Sequence, residues 1–122
     1  MPKICKLALL AGAIVVAFAS TDVASAQSTG GWAVVAPDGT LGNNKNVKSV
    51  DHVSAGVYQV NFNNAVGVCA ADATIAGRGK KSTTPGYIVV NHGKDGSSIV
   101  VHTFLTTTLL PSDFRFHLIT MC

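Results

Sequence analysis

The stretch that decides the fold is Val57–Phe62, which reads VYQVNF. Its second, fourth and sixth residues are tyrosine, valine and phenylalanine, and a glutamine and an asparagine separate them. Because successive side chains of a strand point to opposite faces of a sheet, this alternation predicts a strand with one buried face. We therefore expect Tyr58 to lie in the core.

The chain on either side of this strand repeats the same organisation. Short apolar runs are bounded by Gly, Pro, Asn or Asp, and none of them has the 3.6-residue period of a helix over a helix length. The other predicted strands are Trp32–Ala36, Val47–Val53, Gly67–Ile75, Tyr87–Asn91, Ser98–Thr106 and Phe114–Cys122. About seven short strands predict an all-β fold, a small antiparallel sandwich or barrel.

The connections are predicted from turn residues. Pro37–Gly39 is a good turn sequence, because proline presets φ and glycine accepts a positive φ. We read Gly42–Asn46, which is rich in asparagine, as a connection, and Ala76–Pro85 as the longest polar break. Gly93–Gly96 predicts a hairpin between the strands that flank it.

The first 26 residues have the pattern of a secretory signal peptide. Lysines precede an apolar run, Leu7–Ala19, and small residues at Ala24–Ala26 suit cleavage after Ala26. The run is about thirteen residues long, whereas a membrane-spanning helix needs about 20. The pattern predicts a secreted product, residues 27–122, that folds as one β-domain in the periplasm or outside the cell.

The predicted product has a mild charge and two cysteines. Seven Lys or Arg against five Asp give it a net charge of +2, which indicates no particular partner. In an oxidising compartment Cys69 and Cys122 should pair, which stabilises a domain of this size by about 4 kcal/mol. Cys122 shares the strand parity of Phe116 and Leu118, so we expect it to point into the same core as Cys69.

Four pieces of the sequence together resemble small secreted or surface β-domains of bacteria that have no assigned function. The pieces read WAVV followed by DGTL, then GVYQVNF, then Cys69 with ATI, and finally FHL before Cys122; they lie within residues 32–41, 56–62, 69–75 and 116–122. The resemblance implies a β-domain and carries no activity, cofactor or ligand.

No motif in the chain indicates catalysis or a metal site. The histidines at 52, 92, 102 and 117 lack metal-ligand spacing, and the sequence contains no glutamate. Asp51 and His52 are neighbours on a strand and so point to opposite faces. The nucleophile sequence G-x-S-x-G is missing. We expect no enzyme, no catalytic residue, no metal and no cofactor.

A weak binding site is predicted around a basic loop. The loop holds Arg78, Lys80 and Lys81, and its spacing does not fit a phosphate-binding loop. Arg115 and His117, both outward on the last strand, could extend it toward an anionic polysaccharide or another cell-envelope component.

Two aromatic residues bear on the same prediction. Tyr87 is expected to be half-exposed and available to a ligand. Trp32 is expected to cover the core, with an exposed stacking platform for sugars as the alternative.

Three classes of function fit these observations. The leading one is a non-enzymatic secreted module for binding or surface interaction. The second is a structural subunit of the envelope or extracellular space that forms homo-oligomers through an exposed strand edge, for example the Thr106–Thr108 region or the Ile119 and Met121 face. The third is a small hydrolase or inhibitor that depends on His117 or Asp51.

Overall fold

The protein is an antiparallel β-sandwich in a computed structural model that describes residues 30–77 and 85–122. Eight strands form it: β1 (Trp32–Val35), β2 (Leu41–Lys45), β3 (Val47–Ser54), β4 (Val57–Phe62), β5 (Ala70–Ile75), β6 (Gly86–His92), β7 (Ser98–Leu105) and β8 (Phe116–Met121). The first sheet has the order β2-β1-β8-β5 and the second the order β3-β4-β7-β6. The predicted all-β class is confirmed. Among the described residues there is no helix that could span a membrane.

The core lies between the two sheets and is built by alternation. In β4, Tyr58, Val60 and Phe62 are buried as predicted, and Ile99 and Val101 of β7 lie beside them. The first sheet contributes a matching set, Ala33, Val35, Phe116 and Leu118. Residues at the intervening positions face outward and form the two outer faces of the sandwich.

The prediction that Gly42–Asn46 is a connection is wrong, and this is why seven strands were expected instead of eight. After the Pro37–Gly39 turn the chain pairs back on β1, so that Trp32 lies opposite Lys45. Gly39 has a φ of 86°, as the turn requires, and the Asp38 carboxylate accepts a hydrogen bond from the Thr40 N–H at 2.9 Å. Pairing with β1 therefore overrides the low strand propensity of this glycine- and asparagine-rich segment.

Asn46 carries the chain from one sheet to the other. Its φ of 61° lies in the left-handed region, which asparagine tolerates better than most residues. Its side-chain amide donates to the Gly30 carbonyl at 3.0 Å, and its own carbonyl accepts from the Asn63 N–H at 2.9 Å. These bonds fix the connection at Asn46, so that β2 and β3, which follow each other in the sequence, lie in different sheets.

The disulfide between Cys69 and Cys122 is confirmed. Cys69 immediately precedes β5 and Cys122 follows β8, and these two strands pair in the first sheet. Cys122 has the parity of the buried Phe116 and Leu118 and bonds to the buried Cys69, as expected, but it is itself exposed because it lies beyond the last paired residue, Met121. The bridge therefore closes one end of the β5–β8 pair.

Two further strand boundaries differ from the predictions. Residues 67–69 form a turn that delivers Cys69, so β5 begins at Ala70 and not at Gly67. The last strand begins at Phe116, two residues later than expected. The predicted hairpin across Gly93–Gly96 is confirmed, with the Asp95 carboxylate accepting from the Ser97 N–H and the Ser98 hydroxyl.

Candidate functional site

The residues predicted to bind a ligand do not form one site. Arg78, Lys80 and Lys81 lie outside the described residues. Tyr87 is 53% exposed on the outer face of the second sheet. His117 lies in β8, a strand of the first sheet, and Arg115 is the residue just before that strand. Since the two outer faces point in opposite directions, Tyr87 cannot contact a ligand held by His117.

Trp32 is the largest departure from the sequence prediction at this site. It was expected to cover the core, but it is 40% exposed. The cause is parity: Ala33 and Val35 of the same strand are buried, so Trp32 and Val34 must face outward. The indole therefore lies on the outer face of the first sheet, as the alternative of a stacking platform required.

Cross-strand pairing brings Trp32 together with residues of β8 and β5. Trp32 lies opposite Ile119, which in turn lies opposite Asp72. One row further along, Val34 lies opposite His117, and His117 opposite Thr74. Two adjacent rows of three side chains thus cross the sheet.

These two rows form a shallow groove of about 340 Å³. Trp32 and Val34 line the side formed by β1, and Asp72 and Thr74 line the side formed by β5. His117 and Ile119 lie between them on β8. The groove therefore offers an aromatic surface together with a carboxylate, a hydroxyl and an imidazole, and we call it the Trp32 groove.

Arg115 lines a second groove that meets the Trp32 groove at Val34. Thr40 and Asn43 also line this second groove. In the described part of the chain, the Nε of Arg115 is buried and has no hydrogen-bond partner. A buried donor without a partner costs free energy, and the guanidinium to which it belongs lines this groove, where it attracts an anionic group.

Lys45 adds a second cation on the same face. It lies opposite Trp32 on the edge strand β2, and both residues line a further concavity beside the Trp32 groove. Lys45 stands on the edge strand β2 and Arg115, just before β8, lines the groove formed with β1 and β2, whereas Asp72 stands on the other edge strand, β5. The charge of the face is therefore polarised across the strands.

The four histidines lie on four different strands, as their spacing predicted. His52 is in β3, His92 in β6, His102 in β7 and His117 in β8. The His92 ring bonds to the Cys69 carbonyl at 2.8 Å, and the His102 ring stacks on Phe104. Within residues 30–77 and 85–122, no three His, Cys, Asp or Glu side chains are grouped as metal ligands would be.

His52 pairs with a residue that sequence reasoning did not identify. Its Nε2 lies 2.9 Å from the Asp113 carboxylate, and its ring stacks on Tyr58 with centroids 4.7 Å apart. The Tyr58 hydroxyl donates to the Pro37 carbonyl at 2.6 Å. Asp51, which precedes His52 in the chain, accepts a hydrogen bond from the Asn61 side-chain amide. Asp51 and His52 thus have different partners, as expected. His52 and Asp113 are 61 positions apart in the chain, so no local pattern signals their pairing.

The environment of this cluster shifts two pKa values. Burial, and then the charge of Asp113, raise the pKa of the Tyr58 hydroxyl far above its ordinary value. Partial burial raises the pKa of Asp113, but hydrogen bonds from the Gly56 N–H and from His52 outweigh it, and the pKa is lowered overall. Asp113 therefore stays ionised and holds the start of the β3–β4 turn through the Gly56 N–H at 2.6 Å.

Comparison with protein-family models, curated proteins and solved structures finds no match to this chain. The resemblance to small secreted bacterial β-domains accordingly stays a prediction.

Proposed function

We propose that the protein is a secreted, non-enzymatic binding module that takes an acidic glycan on the outer face of its first sheet. The observation that carries this proposal is the exposed Trp32 indole beside the Trp32 groove. Such a module needs a rigid platform, and the platform here consists of paired strands, which hold their side chains at fixed spacing.

The groove has the chemistry of a sugar site. Sugar rings present apolar C–H faces that pack on an aromatic ring, and hydroxyls that need both donors and acceptors. Trp32 supplies the aromatic surface, and Asp72 supplies acceptors on the opposite side of the groove. Thr74 and His117 can each donate or accept.

The cations favour an acidic sugar over a neutral one. Arg115 lies at one end of the face with an unpartnered Nε, and Lys45 lies beside Trp32. A guanidinium binds a carboxylate or sulfate through paired hydrogen bonds, which adds geometric preference to the attraction. Arg115 lies four residues before Ile119, the residue opposite Trp32, so a glycan chain that stacks one ring on Trp32 and runs along β8 would bring an acidic group of a unit further along the chain near Arg115.

The remaining polar cluster makes its contacts within the fold. His52 contacts Asp113 and Tyr58, and the Asp113 carboxylate accepts a hydrogen bond from the Gly56 N–H. The Cys69–Cys122 disulfide supports export, because such bonds persist in oxidising compartments.

Fluorescence tests the proposal directly, because Trp32 is the only tryptophan of the chain. We would titrate the protein with oligosaccharides of galacturonic acid, oligosaccharides of alginate and heparin, with cello-oligosaccharides as the neutral comparison. We expect a saturable change in Trp32 emission with an acidic glycan that persists at moderate salt, since the stacking contribution is not screened.

Variants separate the contributions by calorimetry. Trp32→Ala should weaken binding about tenfold, or about 1.4 kcal/mol. Arg115→Gln should reduce the preference for acidic over neutral sugars, with Lys45 still present. Tyr87→Ala is the matched control, since it removes an exposed aromatic from the opposite face. Equal losses in Trp32→Ala and Tyr87→Ala, or no change in emission with any of these glycans, would refute the proposed site.

A further inference from the structure

The four edge strands of the sandwich are not protected equally. An exposed edge displays free backbone N–H and C=O groups, and proteins guard such edges with lysines, prolines, bulges or short length. The edge strand β2 carries Lys45 and an irregular register against β1. The edge strand β3 carries Lys48 and two register shifts. The edge strand β5 carries the exposed Asp72.

The fourth edge strand, β6, has none of these devices. Its seven residues read GYIVVNH, with no lysine, arginine, aspartate, glutamate or proline. It pairs with β7 in unbroken register from Gly86 opposite Leu105 to His92 opposite Ile99. Val89 at its centre is 47% exposed on the outer face. The strand is therefore regular, uncharged and rich in β-branched residues, as a strand-pairing surface should be.

The hydrogen-bond pattern shows which backbone groups are free. In an antiparallel pair, residues alternate between exchanging both bonds with the neighbour and pointing away from it. The Gly93 N–H donates to the Ser98 carbonyl, so the odd-numbered residues of β6 are the ones bonded to β7. The N–H and C=O groups of Ile88 and Val90 consequently point out of the open edge, where no described residue pairs with them.

We propose that β6 pairs with the β6 strand of a second copy, antiparallel and about a two-fold axis at Val89. In that register Ile88 exchanges both hydrogen bonds with Val90 of the second copy, and the two Val89 side chains meet on the outer face. The result is one continuous eight-stranded sheet with an isologous interface.

A second copy fits this edge better than an unrelated strand, because the arrangement is self-complementary. The strand brings no charge into its own interface, whereas the same pairing at β2 or β3 would place Lys45 or Lys48 of each copy within the interface. The Trp32 groove lies on the other sheet and stays open in the dimer. Dimerisation thus presents two grooves to one polymer and raises avidity.

Proline substitution tests the free edge. Ile88→Pro removes an N–H that β7 does not use, so the fold should survive while the molar mass measured by light scattering falls twofold. Val50→Pro is the matched control: Val50 is also half-buried against the core, and lies on β3, the other edge of the same sheet. The alternation in β3–β4 directs its N–H outward as well. Val50→Pro should remain dimeric.

Disulfide crosslinking tests the same interface without a proline substitution, so its result does not depend on whether the proline variants fold. Residues opposite each other in a non-hydrogen-bonded pair are about 4.5 Å apart at Cα, close enough for a disulfide. Val89→Cys should therefore oxidise to a covalent dimer. Ile119→Cys, at 45% exposure on the other sheet, should not.

A wild-type protein that stays monomeric at high concentration would overturn the proposal. So would equal crosslinking of Val89→Cys and Ile119→Cys, which would indicate random encounters or association through the first sheet. A dimer that survives in Ile88→Pro would equally exclude β6.

Discussion

Asp113 is the residue whose ionisation links two parts of the sandwich. It accepts a hydrogen bond from the Gly56 N–H in the β3–β4 turn and pairs with His52, and the net effect of its surroundings is a pKa below the ordinary carboxyl value. A carboxyl whose folded-state pKa is depressed stabilises the fold above its unfolded pKa. This stability is lost as the pH falls below about 4 toward the lower folded value.

We therefore expect the stability of Asp113→Asn to depend less on pH in the acidic range than that of the wild type. Urea midpoints measured between about pH 2 and 7 should fall less steeply for Asp113→Asn than for the wild type over the acidic part of the range. Asp72→Asn, which removes an exposed carboxylate of β5, is the control for the loss of one negative charge. An unchanged slope in Asp113→Asn would show that these contacts contribute nothing to the fold.

Individual residues were predictable where the local pattern was strong. The sequence predicts Tyr58 in the core because Val60 and Phe62, two and four residues further along, share its face of the strand. Trp32 was placed wrongly because its strand has only four residues, all apolar, and such a run has no alternation to reveal its parity. Asp113 had no local signal, since its partners lie 57 and 61 residues away.

At the scale of the elements, the β3–β4 hairpin depends on Gly56. Its φ is 68°, and a Cβ added there would meet the Thr103 carbonyl and the Ser112 amide. Gly96, in the β6–β7 hairpin, has a φ of 73° but no atom within 4 Å of the corresponding position. The two glycines therefore share a conformation and differ in the space around them.

This difference gives a matched prediction. Gly96→Ala should lower the free energy of unfolding by about 1 kcal/mol, which is the cost of holding an alanine in the left-handed conformation. Gly56→Ala should cost about 3 kcal/mol or more, because backbone atoms on β7 and before β8 must also move. Denaturant unfolding of both variants measures the two costs. Equal losses would mean that the packing of the turn against residues 103 and 112 is unimportant.

The elements found from sequence were those with apolar alternation or with glycine turns, such as β4 and the hairpin at Gly93–Gly96. The strand β2 was missed because its LGNNK sequence is typical of a loop, and only its pairing with β1 makes it a strand. Its residues are mostly exposed at the sheet edge, so burial imposes no pattern on them.

At the scale of the whole molecule, the disulfide closes a long segment of the chain. Cys69 and Cys122 are separated by 53 residues, which include β5 to β8. Constraining a loop of this length in the unfolded state stabilises the fold by about 4 kcal/mol. The double variant Cys69→Ala with Cys122→Ala should lose about this amount in urea unfolding. A loss below about 1 kcal/mol would show that the unfolded chain is not the state on which the bridge acts.

The sandwich separates the proposed roles between its two sheets. The first sheet presents Trp32, His117 and Arg115 on its outer face, and the second offers the unprotected edge of β6. Sequence alone grouped Arg115 and His117 with the basic loop and treated Trp32 separately, and the grouping of all three on one face depends on the strand order β2-β1-β8-β5. That order joins strands from both ends of the chain, and no local pattern encodes it.

The most direct measurement is a ¹H–¹⁵N correlation spectrum of the protein during titration with an oligosaccharide of galacturonic acid. With one tryptophan in the chain, a single indole N–H signal reports on Trp32. We expect this signal to shift together with the backbone amides of Asp72, Thr74 and His117, and with the Nε–H of Arg115. Shifts that fall on β6 and β7 instead, with the Trp32 indole unmoved, would contradict a glycan site on the first sheet.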